Sequence, residues 1–307
     1  MKYPLVDSKV MKHLFNNPAR RFLRRGPWAG LGLLLATARP GGAQTLPPAW
    51  PDQPLAVTGC APAQAVAGTR VVVRGQGFVG VSSVRFNGLE AEAFDIDSPT
   101  QLTALVPALA SSGPVSVSTA AGTACTTQPL EVPPEVLVQG AQLVRGTYAR
   151  LVVGPGGVAT LAAPVRVLGT LVVQPGGHLD LGSYVVTGEG FQLADGATLS
   201  LSHPAGLAAA GATGGVQTAT RSFSSEASYV YRPAQPGSQT GAGLPTRVRG
   251  LSVLSPAHSS ARLTLTCGVA VGQVLHLGGT LATGGHSLLL LTSPTSGPAL
   301  LLGLGKL

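Results

Sequence analysis

Four carboxylates fall within eight residues of this chain: Glu90, Glu92, Asp95 and Asp97. Alternate positions of a strand share one face, and paired carboxylates on one face can hold a hard cation. A solvated strand and loop explains the cluster with fewer assumptions, so no metal ligands are assigned. A second pair, His178 and Asp180, stands two residues apart and would share a strand face. Acid–base chemistry would need further carboxylates or an arginine beside it, and the local sequence offers none, so it reads as a surface pair. His203, His258, His276 and His286 lack metal-ligand spacing. No G-x-S-x-G elbow occurs, and the loop Gly211–Gly215 carries no phosphate-binding lysine. Cys267 has no basic neighbour in sequence and reads as a buried apolar residue. No catalytic residue, cofactor or metal site emerges, and a non-enzymatic protein is expected.

The elements that would position such residues are legible from composition. The 307 residues include 42 Gly and 25 Pro, and only 10% are charged. Gly and Pro at this level break helices, which excludes a helical bundle. A charge-poor, apolar chain is not intrinsically disordered. No apolar run reaches the roughly 18 residues of a spanning helix, so no transmembrane segment is expected in the mature chain.

The net charge of +8 invites a nucleic-acid reading, but its placement argues otherwise. Lys2, Lys9, Lys12, Arg20, Arg21, Arg24, Arg25 and Arg39 oppose Asp7 alone, so residues 1–43 carry +7 and the remainder carries +1. The basic stretch precedes a short apolar run, Trp28–Ala38, and the small residues Gly41-Gly42-Ala43. That order is a secretory signal over residues 1–43, starting at Met1 or Met11. Arg20-Arg21-Phe22-Leu23 matches a twin-arginine signal only in part, lacking its spacer. Val57-Thr58-Gly59-Cys60 loosely matches a lipoprotein box, but the Pro-rich linker 44–54 separates it from the apolar core of the signal.

Residues 55–132 alternate apolar and polar positions at Val71/Val73, Val84/Phe86, Leu102/Ala104/Val106 and Val115/Val117. Turn residues separate these runs: Gly75-Gln76-Gly77, Asn87-Gly88, Ser98-Pro99 and Ser112-Gly113-Pro114. Short strands with regular turns predict an immunoglobulin-like β-sandwich. This stretch resembles the IPT/TIG family through Pro62, Gly68-Thr69, Gly75, Gly77-Phe78, Phe86-Asn87-Gly88, Thr100-Gln101-Leu102, Val106-Pro107, Ser112-Gly113-Pro114 and Gly122-Thr123. The resemblance implies an immunoglobulin-like fold, found in plexin-type receptors, some transcription factors and many bacterial surface proteins. In that fold Cys60, on the first strand, and Cys125, near the last, can be neighbours, and a Cys60–Cys125 disulfide is expected in an oxidising compartment.

Residues 137–307 follow another rule. The segments starting at Leu151, Leu171 and Phe191 superpose at a step of 20 residues, aligning Gly156, Gly176 and Gly196, and Leu161, Leu181 and Leu201. A fixed period with a turn glycine predicts a β-solenoid, whose coils bury their apolar faces by stacking. Further coils are expected from Leu251 onward, with 203–250 as an irregular insert. Ser222-Phe223, Tyr229-Val230-Tyr231, Gln239-Thr240-Gly241, Gly243-Leu244-Pro245 and Leu251-Ser252-Val253 resemble a module of large secreted bacterial surface proteins. That pattern usually has Asn and Gly where Arg232-Pro233 stand. Such proteins commonly continue into more repeats and a sorting domain, so the apolar tail ending at Leu307 reads as a truncated member.

The function expected is therefore a non-enzymatic exported protein, secreted or at the cell surface, with an adhesion, stalk or matrix role. Its Ser-, Thr- and Gly-rich faces would meet glycans or other surface or matrix proteins. The alternative is a carbohydrate-binding or, more remotely, polysaccharide-degrading β-helix protein. Glycosidases need two carboxylates across a groove, and from residue 137 onward only Asp180, Glu189, Asp195 and Glu226 are acidic. Aromatic platforms there are limited to Tyr148, Tyr184, Phe191, Phe223, Tyr229 and Tyr231. Nucleic acid is excluded as a partner, because Lys306 is the one lysine after the signal and no basic stripe exists.

Overall fold

The computed structural model describes residues 53–255, 261–293, 297–298 and 300–302. The expected signal, most of the expected linker, His258 and Lys306 lie outside these residues. All strands and no helices are found among the described residues. No helix among them is long and apolar enough to cross a membrane.

The first eight strands are β1 (Ala56–Ala61), β2 (Arg70–Gln76), β3 (Ser83–Phe86), β4 (Leu89–Glu90), β5 (Phe94–Ser98), β6 (Gln101–Leu105), β7 (Val115–Thr119) and β8 (Gly122–Cys125). They form two antiparallel sheets, ordered β1-β2-β6-β5 and β4-β3-β7-β8. The alternation seen in the sequence is the alternation of the fold. Val71, Val73, Leu102 and Ala104 from one sheet and Val84, Phe86, Val115 and Val117 from the other are buried. Asn87 and Gly88 link β3 to β4 with φ of 48° and 87°, the two positive angles of a tight hairpin turn. A Cβ on Gly75 would collide with the Ala56 carbonyl oxygen and the Phe78 ring, so that position needs glycine for close approach.

A second, separate core begins at Val136. Its strands are β9 (Glu135–Val138), β10 (Ala141–Tyr148), β11 (Arg150–Val153), β12 (Val158–Val173), β13 (His178–Asp180), β14 (Val186–Leu193), β15 (Thr198–Leu201), β16 (Val216–Phe223) and β17 (Ser228–Tyr231). They are followed by β18 (Ser238–Gln239), β19 (Arg247–Leu254), β20 (Arg262–Thr264), β21 (Val269–Gly278), β22 (Thr280–Ala282), β23 (Leu288–Leu290), β24 (Thr292–Ser293), β25 (Gly297–Pro298) and β26 (Leu300–Leu302). All of these pairings are parallel except β24 with β25. They stack as a β-solenoid of about seven turns, the longer strands bending around its corners.

The register carries the period directly: Leu151 pairs with Leu171, Leu171 with Phe191, Val158 with His178, and His178 with Thr198. Apolar columns run through the stack, for example Leu179–Leu199–Tyr229–Leu251–Leu275. Each buried Leu contributes roughly 1.5–3 kcal/mol of hydrophobic stabilisation.

The aligned glycines close the corners. Gly157 N–H donates to Gly154 O and Gly177 N–H to Gln174 O, both at 2.9 Å. Pro155 and Pro175 precede Gly156 and Gly176, whose φ angles are 73° and 76°. Proline followed by a positive-φ glycine defines a type II turn. These corners also bond turn to turn: Gly156 N–H donates to Gly176 O and Gly176 N–H to Gly196 O, each at 3.1 Å, and Gly196 N–H to Glu226 O at 2.7 Å.

Two expectations need correction. The stretch 203–250 is not irregular throughout. Strands β16 to β18 and the start of β19 lie within it and hold the solenoid register, Leu193 pairing with Phe223 and Leu199 with Tyr229. The extra residues that lengthen the step to 30 sit in the connection between β15 and β16. The expected Cys60–Cys125 disulfide is not formed: both cysteines, and Cys267, are free thiols. Cys60 packs on the sandwich core, whereas on β8 it is Ala124 that packs there and Cys125 that is exposed. Strand alternation thus turns the two sulfurs to different sides.

Candidate functional site

A hydrogen-bonded group of chemistry-bearing side chains lies on the outward face of β13, β15 and β17. Leu179, Leu199 and Leu201 turn inward, so His178, Asp180 and Ser200 turn outward. His178 Nε2 and Ser200 Oγ share a hydrogen bond of 2.7 Å between adjacent turns. Asp180 Oδ1 accepts the Gly182 N–H at 3.0 Å, and Asp180 Oδ2 accepts from Arg232 Nη1 at 2.6 Å. Arg232 follows β17, two turns from β13, and so reaches back across the turn that holds Ser200.

This geometry does not assemble a nucleophile. Ser200 has no exposed surface. No hydrogen bond joins Asp180 to His178 among the described residues, so the orienting contact of a Ser–His–Asp triad is missing. Burial pushes the His178 pKa below its ordinary value; Asp180 opposes this and Arg232 reinforces it. The neutral imidazole is thus the form that the hydrogen bond to Ser200 uses at pH 7. Beside the group lies an open hollow of about 390 Å³, lined by Ser202, Arg232, Pro233, Ala234, Leu254 and Ser255. The Ser255 hydroxyl is buried without a hydrogen-bond partner.

Elsewhere the structure separates what the sequence places together. Glu90 lies on β4 and faces Arg85 at 3.5 Å, while Asp95, on β5 of the other sheet, faces Arg70 at 3.0 Å. Asp97 accepts from Thr103 at 2.8 Å and from Gln101 at 3.2 Å, and Glu92 accepts the Ala108 N–H at 3.2 Å. The four acids share no focus, and no group of three metal-ligating side chains occurs among the described residues.

The aromatics are likewise spent on packing. Tyr148, Phe191, Tyr229 and Tyr231 are buried, and Phe223 packs on the same core, which leaves Tyr184 as the exposed ring of the six. Tyr229 and Tyr231 donate to the Ser224 and Thr240 carbonyls at 2.7 and 2.8 Å, and burial raises both phenol pKa values. The guanidinium of Arg221, on β16, donates to the carbonyls of Ala208, Gly211, Val216 and Thr218, tying down the long connection before it. Sequence reasoning missed the roles of Arg221, Arg232 and Ser200; a lone Arg beside a Gly-rich connection was the one available signal.

Comparison with known proteins assigns residues 55–131 to the IPT/TIG domain family. No curated protein matches the chain. Among solved structures, an auxiliary nutrient binding protein from Bacteroides ovatus is similar at 22% identity and a TM-score of 0.26, over 31% of this chain and 25% of that one. A Bacteroides thetaiotaomicron auxiliary nutrient binding protein gives 18% identity and a TM-score of 0.26 over the same shares. SGBP-B from a xyloglucan utilization locus of Bacteroides uniformis gives 21% and 0.23, over 25% of this chain and 23% of that one. The chain spans about a quarter of the length of each, so nothing about their ligands passes to it.

Proposed function

We propose that the chain is an exported, non-catalytic protein of the cell surface or extracellular space, its IPT/TIG module and β-solenoid serving as a stalk, adhesion or matrix element. The observation that carries this reading is how the solenoid spends its ionisable groups. Asp180 and Arg232 clamp one turn to another two turns away, and Arg247 and Glu226 form a second pair at 3.3 Å. Arg221 binds carbonyls of its own chain. These groups hold coils together instead of converging on a substrate. Export is supported by the +7 segment, its apolar run and the small residues after it.

Carbohydrate binding is the second reading, favoured by the hollow that sets the Arg232 guanidinium beside Ser202 and Ser255. A buried hydroxyl without a partner and a part-exposed guanidinium suit a hydroxyl-rich or acidic sugar. Against it stands the burial of Tyr148, Tyr229 and Tyr231, which leaves Tyr184 as the exposed tyrosine of the solenoid for stacking.

A glycan array and a panel of soluble polysaccharides, tested with the purified chain and with Asp180→Ala and Arg232→Ala, separate these readings. The expected outcome is no hydrolysis by any form and no retained glycan. Glycan capture lost in Arg232→Ala would establish the second reading. Hydrolysis lost in Asp180→Ala would overturn the non-catalytic one.

A further inference from the structure

One carboxylate on the outward face of β13 stands between two basic side chains. Asp180 Oδ2 accepts from Arg232 Nη1 at 2.6 Å, across the turn that holds the fully covered Ser200. His178 lies two residues from Asp180 on the same face and is bonded to that same Ser200 at 2.7 Å. The backbone of Arg232 is tied down beside them, its N–H donating to Leu201 O at 2.9 Å. From there the chain runs through 232–237 to β18, where the Gln239 N–H donates to Pro204 O at 2.8 Å. Few other charges are placed to intervene. Beside His178 and Asp180, β12 sets Val158 and Thr160, and β15 sets Thr198 and Ser200. On the corner before β15, Asp195 is bonded to Ser224; on the corner before β17, Glu226 faces Arg247. His203, on the connection after β15, accepts the Ala205 N–H at 3.2 Å.

We propose that His178, Asp180 and Arg232 form an acid-sensitive latch: a proton on His178 draws Asp180 to the imidazolium, releases Arg232 and frees the connection 232–237 from this face. The coupling works in both directions. Asp180 favours the proton on His178 and Arg232 opposes it, so the proton in turn attracts Asp180 and repels Arg232. The two partners of the clamp are unequally held. Asp180 sits on a strand with 18% of its side chain exposed, and its Oδ1 accepts the Gly182 N–H at 3.0 Å. The Arg232 side chain is 40% exposed and borders the open hollow, so a released guanidinium has water to enter. Above the ordinary histidine value near 6.5 the imidazole is neutral and the latch is closed. It opens as pH falls through the folded value, which burial sets lower.

Amide hydrogen exchange over a pH series from 7.5 to 5.0, with each rate divided by its unfolded-chain rate at that pH, measures this. Protection of the Arg232 and Gln239 amides is expected to fall several-fold in acid, while that of Leu171 and Leu251 in the core stays constant. The midpoint of the fall is expected to match the titration of the His178 ring followed by nuclear magnetic resonance, a reading that needs no variant. His178→Asn, which keeps a partner for Ser200 and carries no charge, is expected to lose the response, and His203→Asn to keep it. Asp180→Asn is expected to show low protection at Arg232 at every pH. Constant protection at Arg232 in the unaltered chain would overturn the proposal, as would a fall spread evenly over the core strands or a midpoint away from that of His178. An equal fall in His178→Asn, a lost response in His203→Asn, or full protection at pH 7.5 in Asp180→Asn would overturn it too.

Discussion

At the scale of single residues, the side chains that look reactive in the sequence act as fasteners. His178 is the clearest test. Burial lowers its pKa in the folded state, while the unfolded chain keeps the ordinary value near 6.5. Above that value both states are neutral and pH has no effect through this group. As pH falls below it, the unfolded chain takes up the proton first, so stability is lost down to the folded pKa. Thermal melts at pH 7.5 and 5.5 should show a larger acid loss for the unaltered chain than for His178→Asn; equal losses would contradict the assignment. The thiols offer another test. Burial raises the pKa of Cys60 and Cys267, and Cys125 is exposed, so Cys125 should be alkylated first, and a disulfide at Cys60 in a non-reducing peptide map would contradict the free-thiol geometry. Asp180→Ala should cost about 1–2 kcal/mol in chemical denaturation, through the lost ion pair and the orphaned Gly182 N–H. None of this was legible for Arg232, because 52 residues separate it from Asp180 and the long connection hides the register between them.

At the scale of elements, the sequence speaks most clearly where one residue type is demanded by the backbone. Gly156 sits at φ 73° with open space around its missing Cβ, so Gly156→Ala adds strain and no clash. It should cost about 1–2 kcal/mol, measured by denaturant unfolding. Leu171→Ala, in the middle of a buried column, should cost about 2–5 kcal/mol, because the stacked turns above and below cannot collapse into the void. Asn87-Gly88 and the 20-residue step were readable for the same reason: positive φ and parallel register leave few alternatives. The acid cluster was not readable, since β4 and β5 are near in sequence but belong to opposite sheets. Tyr229 and Tyr231 were ambiguous, because alternation alone does not say which face of β17 is the core.

At the scale of the whole molecule, charge and architecture support one reading together. The positive charge gathers in the first 43 residues, and beyond them Arg70, Arg85, Arg232 and Arg247 each face a carboxylate. Positive charge gathered in one terminal segment supports the export proposed above. An IPT/TIG domain followed by a stack of turns held by apolar columns and side-chain clamps suits a part that spans distance and presents a surface. Such a part is expected to work outside the cytoplasm. Protease added to intact cells that make the protein, followed by fractionation and detection of the chain, tests it most directly. Cleavage of the chain by external protease, or its recovery from the medium trimmed of its first residues, is the expected outcome. Full-length chain confined to the cytoplasm and untouched by the protease would contradict it.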